Sequence, residues 1–160
     1  MKFMSPTKGS MTIEEVALDM SQYLAERPEA KYRLIVGSDS QPHVARQSTL
    51  FVTAIVIHRV GKGARFYILK RPYKRPIRLR QRIFMEASMA LEVVHELEQV
   101  LSQYHVVLPI EVHLDIGEEG ETKALIKELV GWVTQSGYLP KIKPESFGAS
   151  KVADRYSKSE

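Results

Sequence analysis

The sequence predicts an α/β fold: a mixed five-stranded sheet, three antiparallel strands followed by parallel ones, flanked by helices and preceded by an extra N-terminal helix. Three observations predict it. Three β-rich stretches crowd into residues 32–71, and Gly61-Lys62-Gly63 between the last two is a hairpin signal. Two later strand-like stretches are each preceded by a helical one, which asks for parallel addition through right-handed crossovers. The chain has 160 residues, enough for one domain with a real core and too few for two.

The elements follow in order. Residues 1–11 read as a loose leader. Thr12 caps a helix, with Glu15 as its capping-box partner; Ile13, Val16, Ala17, Met20 and Leu24 keep helical spacing, and Pro28 marks the end. Leader and helix make up residues 1–29, and residues 30–160 form the main domain. The first strand, about 32–39, carries the apolar run Leu34-Ile35-Val36 and then Asp39; the loop "SQPHVARQS" follows. "TLFVTAIVIHRV", 49–60, and "ARFYILKR", 64–71, complete an antiparallel meander. Pro72 and Pro76 bracket a linker to a long helix, about 77–103. A fourth strand, "IEVHLDI", spans 110–116, and a helix over about 119–136 ends at Gly137. "YLPKIKP" is a short fifth strand, and "GASKVADRYSK" forms the last helix.

Composition narrows the class. Hydrophobic residues are 44% and charged residues 26%, as in an ordinary globular protein. No apolar run approaches the roughly 20 residues of a membrane span, and the N-terminus lacks the apolar stretch of a secretion signal. There are no cysteines, which excludes disulfides, thiolate metal sites and cysteine nucleophiles. These features fit a cytoplasmic protein. The net charge is +4 and the pI about 9.3. The excess is concentrated: Lys70, Arg71, Lys74, Arg75, Arg78, Arg80 and Arg82 fall within "LKRPYKRPIRLRQR" with no acid among them. Such a cluster suits a polyanion. It also suits a solvated helix entrance.

Four acids occupy awkward positions. Asp39 ends the first strand. Glu86 sits in the helical stripe Leu79, Ile83, Glu86, Ala90, Val93, Leu97, otherwise apolar, and so lies on or beside the buried face. Asp115 closes the fourth strand, and Asp154 belongs to the last helix. Each has an ordinary alternative. Asp39 and Asp115 can form turns, Glu86 can pair with Arg82 one helical turn away, and Asp154 can balance Lys151 or Arg155. If the first and fourth strands are adjacent and parallel, Asp39 and Asp115 emerge together at the carboxyl end of the sheet, where open α/β sheets place their sites. Two carboxylates there repel unless a cation lies between them. A hard, oxygen-seeking divalent ion such as Mg²⁺ meets that need.

The chain resembles the ribonuclease H-like superfamily over roughly residues 30–157. The resemblance is carried by the β-β-β-α-β-α-β-α order and by Asp39 in "GSDSQ", Glu86 in "FMEAS", Asp115 in "HLDIG" and Asp154 in "VADRYS". "IVGSDSQ" and "GASKVADRYS" also look like a bacterial family of this superfamily with no assigned role. The resemblance implies a ribonuclease H-like sheet and Mg²⁺- or Mn²⁺-dependent hydrolysis of phosphodiesters in RNA, RNA–DNA hybrid or structured DNA by two metal ions. Asp39 would bridge both ions, Glu86 and Asp115 would hold one, and Asp154 the other. Ser40 and Gln41 would touch the nucleic acid, a ribose hydroxyl included. Lys70, Arg71, Lys74, Arg75, Arg78, Arg82 and Lys151 would supply phosphate contacts.

The chain departs from the pattern in three ways. Asp39-Ser40-Gln41-Pro42 replaces a glycine-containing turn. No histidine stands in "KIKPESFG", where Lys143 offers only charge, and the N-terminal helix is extra. The departures leave room for a non-catalytic nucleic-acid-binding module on the same fold. Among other features, Glu118, Glu119 and Glu121 suit the N-terminus of the following helix. His113 suits a core network, and Tyr73 suits stacking on a base or packing under the linker.

Overall fold

The structure is a computed structural model that describes residues 1–146 and 149–158, without the side chains of residues 150, 151, 154, 157 and 158. Its strands are β1 (Phe3–Ser5), β2 (Gly9–Met11), β3 (Tyr32–His43), β4 (Ser48–Arg59), β5 (Ala64–Tyr73), β6 (Ile110–His113) and β7 (Leu139–Lys141). Its helices are α1 (Ile13–Glu26), α2 (Leu79–Ser102), α3 (Ile126–Gln135) and α4 (Ala149–Lys158). One mixed sheet runs in the order β2-β1-β5-β4-β3-β6-β7. The meander β3-β4-β5 is antiparallel, and β6 and β7 add to β3 in parallel, as expected. The turn after β4 closes through Arg59 N–H to the carbonyl of Gly63, whose φ of 97° favours glycine.

The sheet has seven strands, not five. The expected loose leader is a hairpin: β1 pairs with β2 and also with β5, and Phe3 is completely buried. Phe3, Ser5 and Met11 turn inward with alternating exposed neighbours, a period too short to stand out in strands of three residues. The predicted capping box of α1 is present, Thr12 and Glu15 bonding each other's backbone N–H.

Both faces of the sheet are covered. Leu34, Val36, Ile55 and Tyr67 join the larger core with α1, α2 and α3; Ile35, Val52, Ala54 and Ile68 join a smaller one with Ala149 and Ala153 of α4. That is why β3 reads as a continuous buried run. Two further corrections concern the site. β3 does not stop at Asp39 but continues to His43, paired throughout with β4. The helix expected from about 119 begins at Ile126, after a 3₁₀ turn over Lys123–Leu125. Glu118, Glu119 and Glu121 therefore lie in a preceding loop rather than on the helix's first turn.

Candidate functional site

Register brings the acids together. β3 and β6 pair in parallel as far as Gly37 beside His113, and β6 pairs with β7 as far as His113 beside Lys141. β6 and its pairings end at His113, so Asp115 leaves just past the carboxyl end of β6, on the side of the sheet where Asp39 lies on β3. The backbone bonds Leu114 N–H to Lys141 O, 2.9 Å, and Lys143 N–H to Ile116 O, 2.8 Å, show that the register shifts beyond His113, the second bond setting Lys143 beside Gly117 rather than Asp115. Asp39 lies inside a paired strand opposite Val52 and is buried, which removes its reading as a turn former. By alternation it belongs to the α4 face, while Ser38 and Ser40 face α2.

Glu86 enters from α2. It shares a cavity of about 10 Å³, room for about one water molecule, with Asp115, Ser38 and His113. The Ser40 hydroxyl donates to Glu86 Oε2 at 2.5 Å, and Arg82 Nη1 donates to Ser40 Oγ and to the Ser40 carbonyl, both at 3.3 Å. Burial pushes the Glu86 carboxyl up to about 8, the charges of Asp39 and Asp115 push the same way, and Ser40 and Arg82 pull back. Asp115 is half exposed, and the Lys143 ammonium lies 3.0 Å from its Oδ1.

A second network lies on the α4 face. Arg33 grips Glu111 through Nε to Oε2, 2.8 Å, and Nη2 to Oε1, 2.6 Å; Glu111 Oε1 also meets His113 Nε2 at 3.1 Å. The Arg33 bonds hold the Glu111 carboxyl down at about 2, and burial lowers His113. Among the described residues, His113 Nδ1 and Arg82 Nε are buried atoms without a hydrogen-bond partner.

The basic stretch does not act as one surface. Lys70 faces α4, 6.0 Å from the ring of Tyr156, whereas Arg71 turns to the other face and bonds Glu92 at 2.6 Å. Arg82 belongs to the acidic site. Lys74, Arg75, Arg78 and Arg80 are exposed around the start of α2, with Arg75 5.4 Å from the Tyr73 ring. Gln41 is half-buried on β3 opposite Leu50. The side chains of Asp154 and Lys151 lie outside the described residues. From the sequence Lys143 offers only spare charge; its pairing with Asp115 shows itself in the folded structure as the 3.0 Å ion pair.

The donor set suits a hard divalent ion: all oxygen, with mutual repulsion written into Glu86. Among the described residues, no three His, Asp or Glu side chains stand arranged to hold one. Two of the acids are instead engaged by the chain itself, Glu86 by Ser40 and Asp115 by Lys143.

A mixed seven-stranded sheet with helices on both faces, Asp39 inside β3 and Asp115 just past β6, is the architecture of a ribonuclease H-like protein. The family described as Ribonuclease H-like matches residues 15–158, and the chain belongs to it. A relative in Bacillus subtilis (strain 168), described as "Uncharacterized protein YkuK", is 36% identical over 168 residues, covering 98% of this chain and 96% of the relative. No solved structure matches.

Proposed function

We propose that this chain is a divalent-metal-dependent nuclease acting on RNA, RNA–DNA hybrid or structured DNA. The observation that carries the reading is Glu86: a partly buried carboxyl raised first by burial and then by the charges of Asp39 and Asp115, so that acids from three distant segments act on one another. Asp39, Glu86 and Asp115 would hold Mg²⁺ or Mn²⁺, with Asp154 as the fourth acid. The ion would supply an activated water and offset charge on the scissile phosphate. Ser40 holds Glu86 in place and Arg82 steadies Ser40. Arg75 and Arg78, exposed where the chain enters α2, would hold the phosphates of the same strand.

The test is a panel of labelled hybrid, RNA and branched DNA with Mn²⁺. Cleavage is expected, and Asp39→Asn or Asp115→Asn should reduce it at least about 100-fold while the fold and nucleic-acid binding persist. A second reading, a non-catalytic nucleic-acid-binding module, is favoured by the lack of a ready ligand triad among the described residues. It predicts salt-sensitive binding with no turnover in any variant.

A further inference from the structure

Lys143 is fixed over Asp115 by three separate features. The Lys143 N–H to Ile116 O bond anchors its backbone beside Gly117, two residues beyond Asp115. The ion pair closes at 3.0 Å. The aliphatic stem runs against Gly117: a Cβ added there would lie 3.1 Å from Lys143 Cβ and 3.5 Å from its Cδ. Gly117 has no left-handed backbone to explain it, so close approach of the lysine stem is what its lack of a side chain permits. A cation is thus built against Asp115. Arg82 plays a parallel part at Glu86, whose carboxyl it pulls down.

We propose that Lys143 is a resident counter-ion of Asp115, competing with divalent ions for it and so setting the affinity of the acidic site for metal. The proposal rests on the metal-binding reading above. It explains how two neighbouring carboxylates are tolerated before any ion arrives. It also assigns Gly117 a purpose, which is to leave room for the lysine.

The test is calorimetric titration of the full chain with Mn²⁺, together with the electron paramagnetic resonance signal of the free ion. Lys143→Met should bind Mn²⁺ about 2- to 5-fold more tightly, the range an exposed ion pair allows. Lys143→Arg keeps the charge and should stay at the wild-type affinity. Gly117→Ala should shift affinity in the same direction as Lys143→Met, and the double variant should show less than the sum of the two. Equal or weaker Mn²⁺ binding by Lys143→Met overturns the counter-ion and leaves the nuclease reading standing. Mn²⁺ binding by neither protein overturns both.

Discussion

Arg33, Glu111 and His113 show how one residue's environment sets its chemistry. The guanidinium fork meets both Glu111 oxygens, and one of those oxygens also holds His113. Because the folded Glu111 is more acidic than the unfolded one, it stabilises the fold above about pH 4.3, and that contribution is lost as pH falls toward about 2. His113 adds in the same direction. Burial lowers it, so stability starts to fall once the unfolded histidine protonates, below about pH 6.5. Urea unfolding across pH 2–7 should therefore show an acid limb that is shallower in Glu111→Gln. At pH 7, Glu111→Ala should cost on the order of 2 kcal/mol, because His113 Nε2 is left buried without its partner.

At the scale of elements, the N-terminal hairpin and α1 are clamped to the sheet through Asp19. Its carboxylate takes Lys8 at 2.9 Å and Arg65 at 3.0 Å, and accepts from the hydroxyl of Tyr67, which is completely buried. Asp19→Ala should destabilise the protein by about 3 kcal/mol, the cost of breaking a buried charged network, and should expose β1 and β2 to hydrogen exchange first. Thr12→Ala removes only the cap of α1 and should cost about 1 kcal/mol, read as a lower urea midpoint with unchanged slope.

For the whole molecule, the distribution of charge around the start of α2 decides how a polyanion would approach. Lys74, Arg75 and Arg78 are exposed, whereas Arg71 is taken up by Glu92. Neutralising Arg75 and Arg78 should therefore weaken nucleic-acid binding and flatten its salt dependence, by about 0.7–0.9 in log–log slope for each phosphate that is no longer neutralised. Arg71→Ala should leave that slope unchanged. Fluorescence anisotropy at several salt concentrations separates the two.

Much of this is legible in the order of residues alone. Helical spacing locates α1 and α2, the capping box marks where α1 starts, and Gly61-Lys62-Gly63 marks the hairpin, because period and turn chemistry act between near neighbours. The family follows from that order together with Asp39, Glu86, Asp115 and Asp154. The hairpin β1–β2 is not legible: three-residue strands carry too little pattern, and what holds them is pairing with β5 and the reach of Lys8 to Asp19. Nor can the seven basic residues be sorted, since residues adjacent in a strand face opposite sides and find different partners. The pairing of Asp115 with Lys143 and of Glu86 with Ser40 belongs to tertiary structure for the same reason. Charges and hydroxyls act over a few ångströms of space, and only strand register and helix packing decide which distant residues come that close.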